Sequence, residues 1–138
     1  MAKRVLLGAR VYINSVERTS NVKKIEVDDT FEDKDTTTYG DGGKKTRLGG
    51  LEDGTCPITF LNDFAAGELD SAMWALRRTL VTVECWPDKD AVVSSANPRY
   101  SASVLINSWK PISGSVGDVA EVDVTFPVSG GWNRYTTT

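Results

Sequence analysis

Apolar and polar residues alternate with a period of two along much of this chain, the spacing of a half-buried strand. Ala9–Asn14 sets Val11 and Ile13 on one side. In Val22–Asp28 the apolar positions are Val22, Ile25 and Val27, against Lys24, Glu26 and Asp28. The alternation there is clean only from Lys24 onward, so Lys23 marks a bulge or the strand's start. Cys56–Leu61 reads as a strand. So does Leu80–Trp86, where Val81, Val83 and Cys85 alternate with Thr82, Glu84 and Trp86, and Pro87 ends the run. Arg99–Trp109 places Tyr100, Ala102, Val104 and Ile106 on one face, with Leu105 interrupting the polar side. Ala120–Phe126 is the cleanest: Val122, Val124 and Phe126 against Glu121, Asp123 and Thr125. Pro127 and Gly130-Gly131 close it, leaving Trp132–Thr138 as a short polar tail.

One segment changes period. Leu69, Met73, Leu76 and Leu80 are spaced four, three and four apart, which lines one helical face and predicts a helix over Gly67–Thr79. Glu68 and Asp70 open it and Arg77 and Arg78 close it, the order the helix dipole favours. A third stretch has no pattern. Asp29–Asp53 holds only Phe31, Tyr39, Leu48 and Leu51 as large apolar residues and is punctuated by Gly42-Gly43 and Gly49-Gly50. It reads as a long extended loop, about residues 29–55, with room for a short hairpin between Lys34–Thr38 and Lys44–Arg47, the rest being mobile in an isolated subunit. A loop of that length in a compact domain is functional or disordered. The class predicted is mainly β: a two-sheet sandwich or barrel-like fold in a single domain, residues 1–138, with one flanking helix.

Composition agrees. Fifteen valines and fourteen threonines against five isoleucines favour strands. Charge and chemistry then remove whole classes of function. Sixteen basic and nineteen acidic residues give a net charge of −3, not the balance of a protein that grips phosphates. The absence of histidine removes Ser-His-Asp and Cys-His catalysis and most zinc sites. Cys56 and Cys85 are too few for a disulfide framework and read as buried, reduced thiols of a protein folded in a cytoplasm. Arg10 interrupts the short apolar run near the start, so no secretion signal is read, and no stretch has the length of a membrane span. Gly43-Lys-Lys-Thr46 lacks the upstream glycine of a phosphate loop. Asp33-Lys-Asp35 opens like a calcium loop, but Thr38 and Lys44 stand where the glycine and the bidentate acid belong. No carboxylate pair is marked out for hydrolase work. The expectation is no enzyme, metal or cofactor.

Two features remain. Glu26, Asp28, Glu84, Glu121 and Asp123 occupy alternating strand positions opposite the valines, forming either a solvated outer face or a surface kept negative toward a passing polyanion. Trp74, Trp86, Trp109 and Trp132 serve either as core edges and subunit contacts or as a sugar-stacking surface.

The order of short motifs resembles the major tail proteins that build the tail tube of long-tailed bacteriophages. The resemblance covers most of the chain. It runs through Asp35-Thr-Thr-Thr-Tyr-Gly-Asp-Gly-Gly43, Arg47-Leu-Gly-Gly-Leu-Glu-Asp-Gly54, the helix Glu68–Arg78 and the strand Leu80–Trp86. In the second half it rests on Asn97-Pro-Arg-Tyr100, Gly114-Ser-Val-Gly-Asp118, Glu121–Phe126 and Ser129-Gly130. The ending, Gly131–Thr138, departs by stopping with no appended immunoglobulin-like domain, as a minimal tube subunit would. The resemblance implies a tail tube fold shared with the type VI secretion tube protein, and stacked, usually hexameric rings around a channel for viral DNA, which passes without specific binding. It implies assembly in the host bacterial cytoplasm into the virion tail, with tail tip or initiator, tape measure and terminator proteins as further partners. It makes Glu26, Asp28, Glu84, Glu121 and Asp123 the candidate lumen-facing acids, and Tyr39, Asp41, Lys44, Lys45, Arg47, Leu48 and Leu51 the candidate inter-ring loop. The alternative is a monomeric β-sandwich module that binds a carbohydrate or peptide through exposed tryptophans.

Overall fold

The computed structural model describes residues 3–137. Eight strands and one helix make up the fold: β1 (Arg10–Ile13), β2 (Val16–Glu17), β3 (Val22–Ile25), β4 (Asp28–Asp35), β5 (Arg47–Leu61), α1 (Leu69–Ala75), β6 (Leu80–Trp86), β7 (Arg99–Leu105) and β8 (Glu121–Tyr135). All pairings are antiparallel, in the order β2-β1-β6-β7-β8-β5-β3, with β4 also on β5.

The two layers expected from the sequence are one curled sheet that shares β8. The first half of β8 pairs with β5, from Leu61↔Glu121 to Gly54↔Val128. Its second half pairs with β7, from Val104↔Val128 to Arg99↔Tyr135. Between Ser103↔Ser129 and Ser101↔Asn133 the register slips, and there Gly130 and Gly131 take φ of 89° and 79°. Such values suit glycine, and the bulge they build lets one strand turn the corner between two layers. Pro127 and the glycines therefore bend the last strand instead of ending it, and most of the predicted tail belongs to β8.

The inner faces meet in one core: Val11 and Ile13, Cys56, Ile58 and Phe60, Val81, Val83 and Cys85, Val104, then Val122, Val124 and Phe126. Each large apolar side chain buried there stabilises the fold by about 1.5–3 kcal/mol. Helix α1 closes one end with Leu69 and Met73. Trp109 meets Phe60 edge-on, centroids 5.5 Å apart, and its Nε1 donates to Asp70 Oδ1 at 3.1 Å, tying the helix to the core. The helix is shorter than its periodicity predicted. After Ala75 the chain turns, Arg78 adopts φ 68°, and its N–H donates to the Ile106 carbonyl at 2.8 Å. Leu80 opens β6, as the predicted strand Leu80–Trp86 has it, but is exposed and does not extend the helical core stripe.

The largest departure lies at residues 29–55. This stretch is not a loop but a two-stranded arm, β4 running along Arg47–Thr55 of β5, and the short hairpin allowed for between Lys34–Thr38 and Lys44–Arg47 is its far end. Every residue of β4 and every residue of β5 from Arg47 to Asp53 is exposed. With neither face buried, no alternation of apolar residues is required, so periodicity could not reveal it. From Gly54 to Arg47, at ~3.3 Å per residue, the arm extends ~23 Å past the last β5–β8 pair. Strand β5 thus runs from the arm, at one pole of the molecule, to Leu61 at the other, where it pairs with Glu121 and leads into the start of the helix, held by Asn62 and Asp63.

Candidate assembly interface

Strand pairing decides which predicted acids share a face. On β8, Glu121 and Asp123 point away from the core, opposite Leu61 and Thr59 of β5. On the far side of β5, Lys24 pairs with Thr59, and Asp28 with Thr55. Glu26 follows in the same phase, its N–H bonded to the Pro57 carbonyl. Glu26, Asp28, Glu121 and Asp123 therefore lie on one outer face, interleaved with Thr55, Thr59 and Thr125. Two lysines temper it: Lys23 sits 3.1 Å from Glu121, and Lys24 3.1 Å from Glu26. Glu84 is placed elsewhere. It stands on β6 in the other layer, 3.4 Å from Arg99, and accepts from Trp86 Nε1 at 2.7 Å. Alternation on a single strand fixes in or out; it does not say which layer's outside, and that is why the sequence grouped all five.

The predicted break at Lys23 is a bulge, where the β3–β5 register shifts between Val22 and Lys24. Past it the predicted strand Val22–Asp28 interrupts after Ile25, and β4 resumes along the same edge of β5. The opposite edge of Val22–Asp35 has no partner strand among the described residues. A free edge of that length is a template for another strand.

Of the residues assigned to an inter-ring loop, Tyr39, Asp41, Lys44, Lys45, Arg47 and Leu48 are gathered at the distal part of the arm, and Leu51 lies nearer its root. Tyr39 projects fully into solvent, and Leu48 and Leu51 are exposed on β5. The turn is held by its own side chains. Asp41 Oδ2 accepts from the Thr38 N–H at 2.7 Å, Thr46 N–H donates to Thr37 Oγ1 at 2.9 Å, and the Thr36 and Thr46 hydroxyls meet at 2.9 Å. Gly42 and Gly43, at φ 64° and 80°, make the reversal. Arg47 lies 3.9 Å from Asp33, while Lys44 and Lys45 form no ion pair among the described residues. Hydrogen bonds from Thr37 hold the Asp35 carboxyl below its usual value. At the root, Trp132 Nε1 donates to the carbonyls of Asp28 (3.2 Å) and Thr55 (3.4 Å), so β8 braces the arm. The sequence offered no sign of that brace.

The tryptophans are engaged within the chain. Arg77 stacks 3.5 Å over Trp74, Arg10 lies 5.0 Å from Trp86, Trp109 is buried, and Trp132 holds the arm. Among the described residues no cluster of three or more His, Cys, Asp or Glu is placed to hold a metal, and no helix is long and apolar enough to cross a membrane. Burial pushes the Cys56 thiol up to about 12, with a smaller contribution from Cys85, and burial pushes Cys85 to about 11.

No protein-family model matches the sequence, and no curated protein does. Solved structures do match in fold. A chain in the virion of a native gene transfer agent particle superposes with a TM-score of 0.69 at 12% identity, covering 96% of this chain and 98% of that one. A chain in the tail of an empty gene transfer agent particle, a tail of C6 symmetry, superposes with a TM-score of 0.65 at 12% identity, covering 95% and 96%. The curled sheet, the flanking helix and the arm thus form a fold found in subunits of phage-like particles. It is the fold that the resemblance to tail proteins implied.

Proposed function

We propose that this chain is a tail tube subunit: a structural protein that assembles into stacked, six-membered rings enclosing a conduit for DNA, with no catalytic role. The observation that carries the reading is the match in fold, along nearly the whole chain, to a chain in a C6-symmetric tail. Three features support it. The free edge Val22–Asp35 offers pairing to a neighbour, and closure of a ring would leave no edge exposed. The face carrying Glu26, Asp28, Glu121 and Asp123 would repel a phosphate backbone and let DNA slide, if turned to the channel. The arm, exposed on both faces in the single chain, has the reach to meet a second ring, with Tyr39, Asp41, Lys44, Lys45, Arg47, Leu48 and Leu51 as its contacts.

On this reading tip, tape measure and terminator proteins meet the same subunits at the ends and lumen of the tube, and the protein acts in the virion tail after assembly in the bacterial cytoplasm. The alternative, a binding module built on exposed tryptophans, finds little support, because Trp109 is buried, Trp132 braces the arm, and Trp74 and Trp86 each have an arginine over the ring. Negative-stain imaging of the concentrated protein tests the proposal. Hollow tubes or stacked rings are expected. A compact monomer that instead retains a glycan or peptide, and loses it when Trp86 or Trp132 is changed, would favour the module.

A further inference from the structure

Two exposed aromatic side chains sit at opposite poles of the molecule in opposite electrostatic settings. On the arm, Phe31 is the cross-strand partner of Glu52 and shares its face with Asp29 and Asp33. Phe31 is 64% exposed. Asp29 and Glu52 have no cationic partner within 4 Å among the described residues. Their mutual proximity raises the pKa of Glu52, first through the hydrogen bond with Asp29, with a lesser contribution from desolvation. These are carboxylates crowded together without compensation.

At the other pole Trp74 is 49% exposed, near the end of α1. Arg77 lies on its ring at 3.5 Å and donates from Nε to the Trp74 carbonyl at 2.9 Å. Arg78 follows at φ 68°, a conformation that favours glycine at a helix end. Neither arginine has a carboxylate within 4 Å among the described residues, and Leu80 beside them is 58% exposed. Two uncompensated guanidiniums therefore stand beside an apolar surface, that of Arg77 held by its stacking on Trp74.

We propose that the Phe31 face of the arm of one copy docks against the Trp74–Arg77–Arg78 surface of a second copy, with Asp29 and Glu52 meeting the two arginines. The partner is a second copy because the two patches complement each other in charge and in apolar character. Their placement points the same way. Copies stacked in one orientation bring the arm pole of each to the helix pole of the next, a head-to-tail contact that propagates. Arginine stacked on an aromatic ring keeps its edge free for a carboxylate, so the two interactions coexist. The contact rests on the self-assembly proposed above, and it specifies which residues hold successive copies together.

The test is a charge swap read by sedimentation and electron microscopy. Arg77→Glu with Arg78→Glu should leave the fold unchanged by circular dichroism, since both side chains are exposed, and raise the concentration needed for assembly by roughly tenfold or more. Asp29→Lys with Glu52→Lys should do the same alone. The four changes together, or an equimolar mixture of the two double variants, should restore assembly. Normal tubes from Arg77→Glu with Arg78→Glu, or no rescue by the swap, would overturn this contact and leave the tube reading standing. A wild-type protein that stays monomeric at every concentration overturns both.

Discussion

Asn97 shows how much one side chain can organise. It is 2% exposed in the loop between β6 and β7. Its Nδ2 donates to the carbonyls of Asp88, Ala91 and Val92 at 3.0–3.2 Å, and its Oδ1 accepts from the Asp88 N–H at 3.0 Å. One amide thus replaces the regular pairing the loop lacks. Asn97→Ala removes the partner of four half-buried backbone groups and should cost about 1–3 kcal/mol, measured by urea unfolding. The thiols give a second prediction. Both folded pKa values, about 12 and about 11, are raised above the ordinary thiol value of 9.0. The neutral form is favoured by folding, so this contribution is fully present below pH 9 and is lost as pH rises through the folded values. Stability should fall by about 1.4 kcal/mol per pH unit per thiol above pH 9. A disulfide-exchange reagent at pH 8 should label Cys56 and Cys85 only on unfolding. At this scale the sequence was legible for the core, because Val11, Ile58, Val83, Val122 and Phe126 carry their burial in their alternation. It was silent on Asn97 and Trp132, whose partners are backbone atoms brought near only by the fold.

Among the elements, period was a reliable guide where one face is buried and no guide where none is. The first half of β8, all of β6 and the inward half of β5 were visible for that reason. The arm was not, since its strands answer to each other through backbone pairing alone. The helix was found but overextended: Leu76 packs on the core as its spacing predicts, while the Arg78 N–H leaves the helix for Ile106 and Leu80 belongs to β6. The turn in β8 depends on its glycines. A Cβ on Gly131 would sit 2.8 Å from Glu52 Oε1 at a φ of 79°. Gly131→Ala should destabilise the fold by about 1–2 kcal/mol. It should also loosen the arm's root, seen as faster amide exchange in β4 than in β6. Replacing Glu32–Leu51 by a two-residue turn should leave a folded body, because the core lies outside the arm, and abolish tubes in the electron microscope.

For the whole molecule, charge is distributed and not concentrated at a site. The outer face of β3, β5 and β8 carries four of the five acids read from the sequence, with Lys23 and Lys24 at its margin. If that face lines a channel, Glu121→Lys with Asp123→Lys should still give tubes, since both side chains point away from the core. Those tubes should retain DNA at low salt and release it as salt rises, measured by co-sedimentation. Tubes of the double variant that do not bind DNA would place this face on the outside. Which layer faces inward belongs to an assembly of many copies, and one chain's alternation of residues carries no trace of it.

The unbroken run of β5 from arm to core has a mechanical consequence. A pull on the arm along its length is passed by a single strand into the ladder it shares with β8, from Gly54↔Val128 to Leu61↔Glu121. Antiparallel hydrogen bonds lie across the strand direction, so such a load strains that whole ladder together in shear instead of peeling it pair by pair. A sideways load on the same arm would instead be met at its root, by the hydrogen bonds of Trp132. The chain should therefore resist a pull along the arm better than a bend across it, which in the proposed tube would hold successive rings together lengthwise and still let them flex.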